Sequence, residues 1–454
     1  MSRHINMTQG KPLKLLVSFA IPLMFGNVFQ QLYTVVDTAI VGRGVGVDAL
    51  AALGSVDWLN WMVLGIAFGF TQGFSVRIAQ KFGEGDMEGL RQVAGQSALL
   101  SGIISLVCLL LVQLALPDIL TLLNVREDLW GMAMLYTRIL LGGLPASVFY
   151  NYCASVLRAV GDSRTPLTAM VVASVVNIAL DCVAVFLLGW GIAGAAAATV
   201  FAQLLSGVIC ICKIFKTPGL RFGWKQMVPV WADCLDLTKI GTPIAAKNTV
   251  IAVGGMVIQS IVNGFSVSFI AGFTATNKLY GLLEIAAISY SYAVTTYVGQ
   301  NYGAGNLDRI RKGVRSAVSL SVITSLVIAA VMILFGKPII SLFISSEDPA
   351  LVAAASETSY IYLCVMSVFL PVLYLLYVFL SALQGVGKTV STMVSGIIEL
   401  VSRVSIAVIV GWTGYEYGLF GAEVAAWVGA AVFLWISYLI AMRKLEKNEQ
   451  RGSL

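Results

Sequence analysis

The residues best suited to chemistry in this chain are a few oxygen-bearing side chains set inside long apolar runs. The first is Asp37, in Gln30-Gln31-Leu32-Tyr33-Thr34-Val35-Val36-Asp37-Thr38, near the end of a largely apolar segment that starts at Leu13. The second and third are Asn177 and Asp181 in Val176-Asn177-Ile178-Ala179-Leu180-Asp181. Their i, i+4 spacing places both on one face of a helix. The fourth is Thr199, in Ala197-Ala198-Thr199. An ionisable group in hydrocarbon costs roughly 2.5–3.5 kcal/mol on insertion scales, so such a residue reads as functional by default. Two carboxylates, an amide and a hydroxyl are hard oxygen donors suited to Na⁺, and two neighbouring carboxylates can also hold a proton between them. A second reading is a polar knot in which these groups only satisfy one another. Arg138 lies at similar depth, and a permanent ion pair with one aspartate is also open.

These residues belong to a membrane chain. Of 454 residues, 58% are hydrophobic and 11% charged, with mean hydropathy +0.87. A soluble chain carries about 25% charge. The fold class is therefore an all-α integral membrane protein. Segments of spanning length, about 20 residues, lie near 14–41, 50–76, 92–116, 132–157, 167–189, 191–212, 241–265, 270–298, 315–336, 355–383, 391–412 and 418–441. The net charge is +6, and its cations concentrate on alternate connections: Arg158 and Arg164, then Lys213 to Lys239, then Arg309 to Arg315, then Arg443 to Arg451. Twelve crossings and the positive-inside rule place both termini in the cytoplasm. On that topology Asp37 is about 7 Å, and Asp181 and Thr199 about 12 Å, from the outer ends of their spans.

The chain also repeats itself. Ala79-Gln80-Lys81-Phe82-Gly83 matches Gly299-Gln300-Asn301-Tyr302-Gly303, and Gly191-Ile192-Ala193-Gly194-Ala195 matches Gly418-Leu419-Phe420-Gly421-Ala422. Pro22 pairs with Pro243, and Pro145 with Pro371. The expected organisation is two pseudo-symmetric six-helix lobes, 1–212 and 241–442, with a basic cytoplasmic loop over 213–240 and a cytoplasmic tail over 443–454. Paired lobes of this kind are a transporter architecture working by alternating access.

On the residues Val36-Asp37-Thr38, Tyr136-Thr137-Arg138-Ile139 with Gly143-Leu144-Pro145, Leu157-Arg158-Ala159-Val160-Gly161-Asp162, Asn177 with Asp181, and Val298-Gly299-Gln300-Asn301-Tyr302-Gly303-Ala304, the chain resembles the multidrug and toxic compound extrusion (MATE) transporters. It looks most like their bacterial branch akin to the DNA-damage-inducible subfamily. The resemblance runs over about 14–440. It implies the twelve-helix MATE fold of the MOP superfamily, and export of small organic, often cationic or amphiphilic, compounds in antiport with H⁺ or Na⁺. It further implies that Asp37, Asn177, Asp181 and Thr199 form the coupling site, and that Gln30, Tyr33, Asn151 and Met170 face the substrate chamber. The expected setting is the bacterial cytoplasmic (inner) membrane. The expected protein is a monomer with membrane lipid and small substrates as its partners, no nucleic acid, and no cofactor beyond the coupling ion.

The second half carries Lys247, Glu284, Glu399 and Arg403 as a possible polar site of its own. Glu399 and Arg403, at i, i+4, fall where Asn177 and Asp181 fall under the repeat, so an ion pair stands where the first half has two acceptors. Lys247 stands where other branches of that family carry a glutamate, which puts any Na⁺ site of the second lobe in doubt and favours coupling through the first; a reach to Glu284 on the next helix is also open. Catalysis is not expected. The only histidine, His4, sits in the N-terminal tail, and the seven cysteines form no Cys-x-x-Cys and read as packing residues. Gly385-Val386-Gly387-Lys388-Thr389 lacks the first glycine of a phosphate-binding loop, since Ala382 stands there. The rival function is a flippase or exporter of a lipid-linked or polysaccharide precursor of the same superfamily. It needs a strongly cationic cavity that these spans do not offer. A membrane enzyme or a passive channel is a more distant rival.

Overall fold

A computed structural model describes residues 5–344 and 348–450. Arg3, His4 and the end of the tail at 451–454 lie outside the described residues. The described elements are helical: α1 Pro12–Gly44, α2 Val47–Glu84, α3 Met87–Leu122, α4 Glu127–Gly142, α5 Leu144–Ala159, α6 Arg164–Cys182, α7 Gly191–Lys216, α8 Trp224–Met227, α9 Trp231–Val262, α10 Val267–Gly303, α11 Leu307–Ile340, α12 Pro349–Gly385, α13 Thr389–Thr413 and α14 Phe420–Gln450. Ten of these helices are long and apolar enough to cross a membrane, and α4 with α5 is long and apolar enough for an eleventh if the bent pair is one span. The 37-residue α10 falls outside that set. Its apolar surface is diluted by Asn277, Lys278 and Glu284 and by buried Ser289, Ser291, Thr295, Thr296, Gln300 and Asn301. The chain is a multi-pass membrane protein.

The fourth expected span is broken. α4 and α5 meet at 41° around Gly143, where a Cβ would run into the Val200 side chain of α7. Pro145 then occupies the first turn of α5, where its missing N–H costs nothing. One turn before the break, Gln113 Nε2 donates to the Arg138 carbonyl at 2.9 Å. After α6 the helix widens into a π-helical turn over Val183–Leu187, with Leu188 N bonded to Val183 O at 2.9 Å. Such turns insert one residue and re-aim the side chains around them.

The repeat appears in the caps. Asp86 Oδ1 accepts from Gly89 N at 2.8 Å to start α3, and Asn306 Oδ1 accepts from Arg309 N at 3.1 Å to start α11. Before each cap a glycine takes a left-handed turn, Gly85 at φ 75° and Gly305 at φ 66°. The backbone N–H of Gly89, and then Lys81, hold the Asp86 carboxyl below its usual range. The phosphate-loop look-alike is the turn joining α12 to α13. All seven cysteines are free thiols.

The described chain divides into two compact units. One holds Ser18–Thr249 with the N-terminal segment up to Gln9, and the other holds the chain from Val250 with Gly10–Val17. The division therefore falls inside α1, a few residues before Pro22, and inside α9, a few residues after Pro243. The connection expected over 213–240 is mostly helical: α7 reaches Lys216, α8 is one turn, and α9 begins at Trp231. The start of α9 joins the first unit by close backbone contact with α2. A Cβ on Gly69 would stand 2.5 Å from Ala245 Cα, and one on Gly73 would stand 2.5 Å from Gly241 Cα. Asn248 Nδ2 adds a hydrogen bond to the Gly65 carbonyl at 2.8 Å. Gly69→Ala should therefore separate these helices and lower thermal stability in detergent by about 1–3 kcal/mol. Gly102→Ala, with nothing within 4 Å of the new methyl, should be neutral or stabilising by up to about 1 kcal/mol. Equal melting of the two variants would contradict this packing.

Candidate functional site

In the first unit, α1, α6 and α7 bring together most of the residues singled out from the sequence. Asn177 and Asp181 are 1% and 0% exposed on the inward face of α6, and Asp37 on α1 is half-buried. The Asp37 and Asp181 carboxyls are electrostatic neighbours of each other. Two carboxylates can bond only through a proton or a shared cation. Oδ1 of Asp37, both oxygens of Asp181 and both polar atoms of the Asn177 amide are buried with no hydrogen-bond partner. Burying such groups unpaired costs about 1–3 kcal/mol each, and more when charged. The Thr199 hydroxyl donates to the Ala195 carbonyl at 3.1 Å, so its oxygen is left as an acceptor. Asp181 stands just before the π-helical turn, so α6 ends in irregular backbone beside the site.

Asn177 and Thr199 also border a small cleft that is partly open to solvent. Gln30, Tyr33, Met170, Asn177, Thr199 and Gln203 line it. Three of the four expected chamber residues are thus together. Asn151 is not among the lining side chains, and its Nδ2 donates instead to the Ser147 carbonyl at 2.9 Å. Gln30, Thr34 and Gln203 are neighbours of Tyr33. Arg138 is exposed, and among the described residues no ion pair joins it to Asp37 or Asp181.

Two neighbours of this site were not singled out from the sequence. Tyr136, from α4, has Asp37, Asp181, Tyr33 and Asp57 as its electrostatic neighbours. Gln203, one turn after Thr199 on α7, has a buried Oε1 without a partner. The signal for Gln203 was its i, i+4 spacing from Thr199.

The second unit places its charges differently. Arg403 Nη2 lies 3.5 Å from Glu399 Oε2, the expected i, i+4 pair. It lies closer, at 2.8 Å, to Glu423 Oε2 on α14, and Arg403 Nε reaches the same oxygen at 3.1 Å. Glu284 on α10 accepts hydrogen bonds at Oε1 from Tyr280 at 2.8 Å and Tyr377 at 2.5 Å. Lys247 is 7% exposed and lies on the stretch of α9 that belongs to the first unit.

Long apolar helices around a buried polar knot define the class as a multi-pass helical membrane protein. A family profile described as MatE matches residues 22–183 and 243–409, one block in each half of the repeat. The chain belongs to the MatE family of membrane transporters. It is 30% identical over 347 residues to the probable multidrug resistance protein YpnP of Bacillus subtilis, covering 76% of this chain and 77% of that one. It is 27% identical over 348 residues to DNA damage-inducible protein F of Escherichia coli, covering 73% of each. A MOP superfamily transporter from Pyrococcus furiosus shares the fold with TM-score 0.91 at 24% identity, over 98% of this chain and 99% of that one.

The carboxylate of Glu423 makes the shortest ion pair to the buried Arg403. Glu423→Gln should lower thermal stability by about 3 kcal/mol, because a buried guanidinium then loses its better partner. Glu399→Gln should cost less. Melting of the two variants in detergent checks the order, and a larger loss for Glu399→Gln would refute this ranking.

Proposed function

We propose that this chain is a secondary efflux transporter that exports small organic compounds, many of them cationic, in exchange for H⁺ or Na⁺. The observation that carries the reading is the overlap of two features. The cluster of partnerless acceptors on Asp37, Asn177 and Asp181 shares Asn177 with the cleft lined by Gln30, Tyr33, Met170 and Thr199. A small cation satisfies the acceptors by sitting among them, and a larger compound occupies the adjoining cleft. Both draw on Asn177, so each weakens the other's hold, and that opposition is what antiport requires. Relatives named as multidrug resistance proteins support the reading.

The cycle follows from this competition. The coupling ion enters the Asp37–Asp181 pair from outside and supplies the positive charge the carboxylates lack. α1 repacks near Pro22, where the helix loses one backbone hydrogen bond, and the compound leaves outward. The ion-loaded protein then returns and releases the ion inward. An inward ion gains about 2.3 kcal/mol per charge per 100 mV of membrane potential, plus any concentration gradient. The setting that fits is a bacterial cytoplasmic membrane, with both termini inside and one chain as the working unit.

Efflux of a fluorescent organic cation from everted vesicles tests this, with pH and Na⁺ gradients imposed separately. The expected result is transport driven by one of the gradients in wild type and reduced to background in Asp37→Asn at equal protein level. Gradient-driven transport that survives Asp37→Asn would refute the reading.

A further inference from the structure

A third carboxylate stands inside a membrane-crossing helix of the first unit. α2 buries Ala52, Val56, Leu59 and Val63 in its core. Its other side carries Gly54, Asp57, Trp58 and Trp61, spaced i, i+3, i+4, i+7, which makes one continuous stripe. Asp57 is exposed, and Trp58 and Trp61 are 37% and 55% exposed. A Cβ built on Gly54 would meet nothing within 4 Å, so the space beside the stripe is open. The two indole rings stand edge to face, with centroids 6.4 Å apart and planes at 69°. Asp57 lies ten residues beyond Val47 in the 38-residue α2, a membrane-crossing helix. An exposed carboxylate on a membrane-crossing helix is too costly to face lipid, so the open space beside it is accessible to water.

We infer that Gly54, Asp57, Trp58 and Trp61 form a recognition subsite for a lipophilic organic cation. Asp57 supplies the opposite charge, the indoles supply π-faces that attract a weakly hydrated cation, and Gly54 leaves the room for it. Na⁺ would gain little from two indole walls, whereas a quaternary or aromatic cation gains both area and electrostatics. Tyr136 is the electrostatic neighbour of Asp57 and also of Asp37 and Asp181, so charge on this stripe is felt at the paired carboxylates. The inference deepens the efflux reading given above, since it assigns cation preference to a stripe apart from the acceptor knot.

Equilibrium dialysis of tetraphenylphosphonium with the purified full-length protein, beside neutral triphenylphosphine oxide, tests it. Wild type should bind the cation, and Asp57→Asn should weaken that binding about tenfold while changing the neutral ligand by less than about twofold. Gly54→Phe, whose ring enters open space, should weaken both ligands, and it keeps the test decisive if Asp57→Asn does not fold. No binding by wild type, unchanged cation affinity in a folded Asp57→Asn, or unchanged affinity of both ligands in Gly54→Phe would each overturn the subsite. Wild-type binding without transport under either gradient would instead overturn the efflux reading and leave the subsite standing.

Discussion

The first unit depends on an imbalance of hydrogen-bonding capacity. Around Asp37, Asn177 and Asp181, four buried acceptor oxygens and a single donor, Asn177 Nδ2, have no hydrogen-bond partner. Leaving such groups bare costs several kcal/mol in total. A fold keeps that cost only where something that arrives and leaves relieves it. A proton between the carboxylates, or a small cation held by their oxygens with Asn177 and Thr199, removes most of the penalty at once. The surrounding features make sense in this light. α6 gives up regular geometry just beyond Asp181, α1 carries Pro22 within its length, and the cleft next to the knot shares residues with it.

The second unit shows the same scaffold with the imbalance removed. The positions equivalent to Asn177 and Asp181 hold Glu399 and Arg403, and the guanidinium is further held by Glu423. At the spacing that relates Pro22 to Pro243, Asp37 corresponds to Ile258, a buried aliphatic residue. Arg403 therefore occupies permanently the place that an exchangeable cation would take. The repeat preserved helix positions and caps while the chemistry diverged, so the coupling proposed above draws on the first unit.

Much of this was legible in the sequence, because membrane spans and i, i+4 faces are local properties. The all-helical class and the pairing of Asn177 with Asp181 followed from run lengths and spacing alone. What was not legible depends on register between helices. Glu423 reads as an ordinary acidic residue in the first turn of α14, and only the packing of α13 on α14 brings it to Arg403. The division of the chain within α9 was hidden because the helix is continuous there. The contacts of Gly69 and Gly73 with Ala245 and Gly241 join positions far apart in the chain. Asp57 was hidden by its company, since the flanking tryptophans keep that span apolar on average. The break at Gly143 was masked for a similar reason: mean hydropathy does not register a bend.

The central claim is that the compound and the coupling ion weaken each other's binding in the first unit. It is tested most directly by adding tetraphenylphosphonium to the purified protein and measuring what leaves. Proton release is followed with a pH indicator in weak buffer, and Na⁺ release with a radioactive tracer. The account predicts release of one of these ions on ligand addition in wild type, and none in Asp181→Asn. Ligand binding to wild type with release of neither ion would contradict it.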